Sequence, residues 1–312
     1  MLKNYILLFT VVFFNCFQNM QAQHIRMFTV KDFDLKHQVK KCLVNTKYGK
    51  EEYDFDKNGF LTKSVTRFND MDYDVVHYKY REGELIEKRS ESYRDNVFDS
   101  NTSIAHFYQI DTTINRRITE KIVSYEKEFL DQYVYEYDDK GDLIRIVRTN
   151  NEGTDETLIE YKKYKGEFTI TYLLNDVPLK SIRTSIQRKR DRSVQKMVLT
   201  KEYLKGEANN AFEEVFDESE KLLARQEFDY DKEEKTFVPT ARTTYIYNEN
   251  GILAQEVITK GDVPEKKEYI YQFDDEDEKE GNWIKQIITP DNSYITRKIM
   301  YYKEESPVVE EE

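Results

Sequence analysis

The stretch Tyr133-Val-Tyr-Glu-Tyr-Asp-Asp-Lys-Gly141-Asp-Leu-Ile-Arg-Ile-Val decides how this chain folds. Tyr135 and Tyr137 stand six and four places before Gly141, the spacing of side chains on one face of a strand. Asp138-Asp-Lys-Gly141 then supplies an acid that caps backbone amides, turn formers, and a glycine free to take positive φ. That chemistry suits a type I turn ending in a bulge. A large apolar residue, Leu143, starts the next run. The unit reads as a β-hairpin.

The same order returns at Gly59, with Tyr53, Phe55 and Leu61, and at Gly251, with Tyr245, Tyr247 and Leu253. Gly83 and Gly281 are variants of it, followed by Leu85 and Trp283. Glu214-Val-Phe-Asp-Glu-Ser-Glu-Lys-Leu-Leu223 reads as an eroded copy without its glycine, and the run from Ile104 to Val123 as another. A lone hairpin is marginal in water, so these units must stack edge to edge and share one apolar face. The predicted fold class is therefore all-β, stacked antiparallel β-hairpins forming one long curled or rolled sheet. Open twisted sheets rarely exceed about ten strands, so this one should roll, close or split into layers. The sequence does not choose among these.

Tyr137-Asp-Asp-Lys-Gly141, Phe55-Asp-Lys-Asn-Gly59 and Tyr247-Asn-Glu-Asn-Gly251 resemble the Tyr-Asp repeats of the YD-repeat or RHS family, across most of residues 51–302. With Gly281-Asn-Trp-Ile-Lys285 after an aromatic strand, the chain is more similar to short exported repeat proteins of the Bacteroidetes than to giant toxin shells. The resemblance implies wound β-hairpins and no particular reaction. Long members enclose a toxin and carry an Asp-Pro-x-Gly type cleavage motif. This sequence has no such motif, and only Lys303 to Glu312 follow Tyr302, so toxin delivery is not expected.

Residues 1–22 read as a signal peptide: Lys3, an apolar run from Tyr5 to Phe17, and a polar stretch to Ala22. The apolar run is shorter than a spanning helix needs. Asn15 is a poor fit to the small residue that lipoprotein processing at Cys16 requires. The expected organisation is a lead-in over residues 23–50, a repeat domain over 51–302 and an acidic tail over 303–312. The mature chain should carry no transmembrane segment and lie in the periplasm, on the cell surface or outside the cell. Cys42 would then be the one cysteine left, which excludes an intrachain disulfide. A net charge of −12 opposes nucleic acid and anionic lipid as partners. Lys180 to Lys196 is a local exception, with Arg183, Arg188, Lys189, Arg190 and Arg192. It reads as a solvated strand face, or as a seat for an acidic glycan or acidic protein surface.

No motif carries catalysis, and no catalytic, cofactor-binding or metal-binding residue is predicted. Asp54-Phe-Asp56-Lys-Asn58-Gly59 opens like a calcium loop but has Val65 where a bidentate glutamate belongs, so it reads as a hairpin turn. Asp274-Asp-Glu-Asp-Glu278 reads as a hydrated extension of one turn, and Glu310 to Glu312 likewise as hydrated charge. Trp283 occupies the leucine register and is assigned to the core rather than to sugar stacking. Ser193-Val-Gln-Lys196 lacks the partner motifs of acyl-transfer enzymes. His24, His37, His77 and His106 show no paired ligand spacing, and Cys42 near His37 has no orienting motif. The functional expectation is an exported, non-catalytic repeat protein presenting a surface to a glycan or protein partner at the cell envelope. The alternatives are a carboxylate-based polysaccharide hydrolase and a self-associating structural component of the envelope.

Overall fold

The computed structural model describes residues 25–261, 263–275 and 280–303. The segment read as a signal peptide, the tail beyond Lys303 and part of the acidic turn after Asp275 lie outside these. One short 3-10 turn, Val30–Phe33, precedes twenty strands. They are β1 (Val39–Thr46), β2 (Gly49–Phe55), β3 (Leu61–Arg67), β4 (Tyr73–Arg81) and β5 (Glu84–Arg94). Next come β6 (Val97–Asp111), β7 (Arg117–Ser124), β8 (Phe129–Tyr137), β9 (Leu143–Asn150) and β10 (Gly153–Tyr164). Then follow β11 (Glu167–Leu174), β12 (Val177–Arg188), β13 (Val194–Leu204), β14 (Glu207–Phe216) and β15 (Leu222–Asp231). The last five are β16 (Thr236–Tyr247), β17 (Leu253–Lys260), β18 (Val263–Phe273), β19 (Trp283–Thr289) and β20 (Ser293–Tyr301). β1 falls within the 23–50 lead-in, so the extended segment that precedes the sheet is residues 25–38.

Each strand pairs antiparallel with its neighbours in sequence, and β20 pairs back onto β1 from Val39↔Tyr301 to Asn45↔Thr296. The sheet is thus a closed up-and-down barrel, one of the three outcomes open to a chain of hairpins. Closure removes both sheet edges and their unpaired backbone groups.

Strands alternate in direction, so every even-to-odd turn falls on one rim. Asp56, Asp138, Asp217 and Asn248 open four such turns in the same way. Each side-chain oxygen accepts two backbone N–H groups, two and four residues on, at 2.8–3.0 Å. Gly59, Gly141 and Gly251 take φ of 84°, 83° and 74°, the left-handed region that glycine enters without penalty. Glu220 holds that place at φ 61°, so the eroded copy folds as its parents do. The expanded turn closes alike, with the Asn282 amide donating to Asp274 at 2.7 Å. Gly83 departs from the pattern: with Glu82 it makes a two-residue turn in which both residues are left-handed, and no capping acid is needed.

A bulge follows each of these acid turns, pairing Phe55 with Leu61, Tyr137 with Leu143, Phe216 with Leu222 and Tyr247 with Leu253. A bulge leaves one residue out of the ladder. Tyrosine hydroxyls from the next strand donate to the carbonyls there: Tyr80 to Leu61, Tyr161 to Leu143 and Tyr247 to Leu222, at 2.9, 2.7 and 2.8 Å. The repeat aromatics therefore bury a ring and staple one hairpin to its neighbour. Tyr161→Phe should cost about 1 kcal/mol by losing one such bond, read as a lower urea midpoint with an unchanged slope.

The tyrosine side of the wall is the inside. Tyr137, Tyr172, Glu120 and Glu214 on that side are 1%, 5%, 9% and 4% exposed. They stand on β7, β8, β11 and β14, and one segment, residues 25–38, reaches this face both there and at β1 to β3, a crossing that only the concave side allows. A ring of twenty strands is wider than side chains alone can fill. Residues 25–38 supply further cover at the acid-turn rim, where Phe28, Val30, Phe33 and Leu35 pack with Phe55, Leu61, Val39 and Cys42. Ile25 reaches the second cluster, around Ile118, Leu143 and Ile159.

Candidate functional site

Inside the barrel, several polar groups pair with one another. Glu120 accepts from His106 Nδ1 at 2.7 Å, Tyr108 at 2.9 Å and Tyr135 at 2.8 Å. Burial pushes its carboxyl up, but the bonds from His106, Tyr135 and Tyr108 outweigh that and hold it below the usual carboxylate range. Glu214 takes Arg225 at 2.9 Å, and burial still raises its carboxyl. Tyr269 donates to Glu256 at 2.9 Å. Asp131 pairs with Arg148 at 2.8 Å.

The lead-in is clamped by a second buried group. Arg297 donates to the carbonyls of Phe33 and Asp34 at 3.0 and 3.3 Å, and its guanidinium lies 3.4 Å from the Trp283 ring centroid. Trp283 Nε1 donates to Asp34 at 2.9 Å. Trp283 thus faces inward in the leucine register, against the lead-in. Asn282, 1% exposed, accepts from the Lys36 amide and donates to its carbonyl.

The other singled-out residues are spread apart. Asp56 is spent on its turn, while Asp54 points outward to Lys41 at 3.6 Å. Among the described residues no three His, Cys, Asp or Glu side chains gather as metal ligands. Ser193 bonds Asp191 and Lys196 pairs with Glu220, so the Ser-x-x-Lys pair is split between two turns. Cys42 is buried, which pushes its thiol up to about 11, and the His37 ring contacts the Glu280 carbonyl instead. His24 lies outside the described residues. The basic run is not one strand face: Arg188 ends β12, and Lys189 to Arg192 form an exposed hairpin tip.

Recesses occur on the outer wall. The larger, about 700 Å³, lies over β10 and β11 at the acid-turn rim, lined by Glu160, Lys162 and Tyr164 opposite Thr171, Thr169 and Glu167. Tyr164 is 60% exposed. The smaller, about 250 Å³, sits over β3 to β5 with Val65 and Val75 as its floor. Its upper wall is a cross-strand stack: Arg67 over Tyr73 at 4.7 Å, and Tyr73 on Tyr93 at 4.6 Å and 10°. Tyr93 donates to Glu91, which lies 4.0 Å from His77. Neither recess coincides with a spaced motif of the sequence. Each arises because neighbouring strands bring alternate side chains to the same outer face.

No described helix is long and apolar enough to cross a membrane, which says nothing of strands. A spanning barrel needs an outward apolar band about 25 Å tall. Here charge crosses the outer wall: Lys63, His77 and Arg89 align across β3 to β5, and Glu136 and Arg145 pair on β8 and β9 nearer the acid-turn rim.

No family model and no curated protein matches this chain. Among solved structures, a porin-like protein from Bacteroides vulgatus is similar over 86% of this chain and 99% of that one, at 10% identity and a TM-score of 0.22. At that score the likeness bears on neither fold detail nor function.

Proposed function

We propose that this is an exported, non-catalytic barrel of YD-like hairpins that holds a glycan at the cell envelope through its outer wall. The observation that carries the reading is the groove over β10 and β11. Two threonine hydroxyls, two carboxylates and an ammonium offer donors and acceptors in fixed cross-strand register, beside one exposed tyrosine ring. Sugars are bound by that combination of planar apolar surface and convergent polar groups. A hydrolytic role needs acids free to exchange protons with substrate. The interior acids Glu120, Glu214, Glu256 and Asp131 are instead each tied to a tyrosine, arginine or histidine. The recurring acid turn and its bulge support kinship with YD repeats, and the leader at the start of the sequence supports export.

The test is a glycan array followed by calorimetry with any hit. Lys162→Ala/Tyr164→Ala/Thr171→Ala should weaken binding at least about tenfold, the loss of two to three modest contacts, while leaving circular dichroism unchanged. A hit whose affinity ignores this triple change, or an array with no hit, defeats the reading.

A further inference from the structure

Two further features sit at opposite rims of the barrel. At the acid-turn rim, the β12–β13 hairpin projects: its ladder with β11 stops at Phe168↔Thr184, whereas its own pairing continues four residues further to Arg188↔Val194. The tip carries Arg188, Lys189, Arg190 and Arg192, all exposed, and none closes a salt bridge within this chain among the described residues. On a molecule of net charge −12 this is a concentrated basic knob.

The opposite rim between β3 and β8 is aromatic and acidic. Phe68, Met71, Val97 and Tyr125 are 46%, 51%, 66% and 57% exposed. The patch is rigid: Asn96 donates to the Met71 carbonyl at 2.9 Å, Asp95 to the Asp72 carboxylate at 2.9 Å, and Tyr125 packs on Phe98 at 4.6 Å. Guanidinium groups already stack here, Arg94 over Phe68 at 5.7 Å and Arg67 over Tyr73. Asp70, Asp95, Glu126 and Glu128 are exposed around it and close no salt bridge among the described residues. Lys127 is the one cation of its turn.

We propose that copies of this chain dock head to tail, the Arg188–Arg192 tip of one barrel seated on the Phe68–Tyr125 rim of the next. Either surface facing its own copy would bring like charges together, which rules against a two-fold dimer through either. Facing each other, they match four cations with four carboxylates and offer rings to guanidinium groups. The surfaces lie at opposite ends, so the contact is heterologous and propagates. A knob on a patch buries less than the roughly 1,600 Å² of a standard interface, so the association is weak and salt-sensitive.

Sedimentation equilibrium at about 50 and 500 mM salt tests this, conditions that differ about threefold in screening length. The wild type should grow in mean mass with concentration at low salt and return to monomer at high salt. Two variants with unchanged circular dichroism separate the surfaces: Arg188→Glu/Lys189→Glu/Arg190→Glu at the tip, and Asp70→Lys/Asp95→Lys/Glu126→Lys at the rim. Each alone should be monomeric. Mixed, the intact tip of one meets the intact rim of the other and the two reversed surfaces are again opposite in charge, so the mixture should regain at low salt the growth in mean mass that each variant alone lacks. Self-association of either variant alone, a mixture that stays monomeric, or a wild type monomeric at low salt and high concentration would each overturn the proposal.

Discussion

Glu120→Ala should cost about 3–5 kcal/mol, the loss seen when one member of a buried, hydrogen-bonded charged group is removed. The carboxylate, on β7, is the shared acceptor for His106 and Tyr108 on β6 and Tyr135 on β8, and without it three interior donors have nowhere to go. Glu120→Gln should cost less, since one oxygen still accepts while its amide meets donors. The pH dependence carries the sign of a depressed carboxyl. Because the folded-state value lies below the unfolded one, near 4.3 for glutamate, the stabilisation is full above that value. It is lost as pH falls through the folded value. Urea titrations from pH 7 to pH 3 should show the wild type weakening below about pH 4, with Glu120→Ala flatter over that window. A penalty under about 1 kcal/mol at pH 7 would mean that solvent reaches this site and replaces the lost acceptor.

The hairpin units were legible because their information is local. Asp138 caps amides within its own turn and Gly141 supplies its own φ, so four residues carry the geometry wherever they occur. Closure was not legible, because it depends on β1 meeting β20, strands at opposite ends of the chain whose partners are set by total twist and strand count. The lead-in was legible only as a segment without repeats. Nothing at Asp34 announces that its carbonyl and carboxylate will meet Arg297 and Trp283, some 260 residues away. The outer recesses were invisible for the same reason: Lys162 and Thr169 come together through register, not through a spaced motif. Trp283 faces inward as its position in the repeat implies, but it is half-buried against Arg297 and Asp34 and joins neither core cluster. The basic run was misread as a strand face because the turn at Lys189 has Arg192, φ 72°, where its relatives have glycine.

Arg297→Ala tests whether the lead-in belongs to the folded unit, and its expected signature is local release before global unfolding. Burial draws the Arg297 guanidinium below its usual value, though Asp34 opposes this and arginine stays charged in proteins. Truncation leaves the Phe33 and Asp34 carbonyls without donors and empties the space against the Trp283 ring. The combined loss should be about 3–4 kcal/mol, from two interior acceptors and a stacked side chain. The ladder bonds of Val30 to Gly59 and Leu61 to Phe28 remain, as does the Asn282 hold on Lys36, so the segment should loosen first between them, at Phe33 and Asp34. Trypsin should then cut after Lys31 and Lys36 faster than in the wild type while the barrel core persists. Trp283→Phe, which deletes the bond to Asp34 but keeps a ring under Arg297, should cost only about 1 kcal/mol and leave Lys36 protected. Equal cleavage rates in Arg297→Ala and wild type would mean that the strand-like pairing with β3, rather than the buried guanidinium, holds residues 25–38 against the wall.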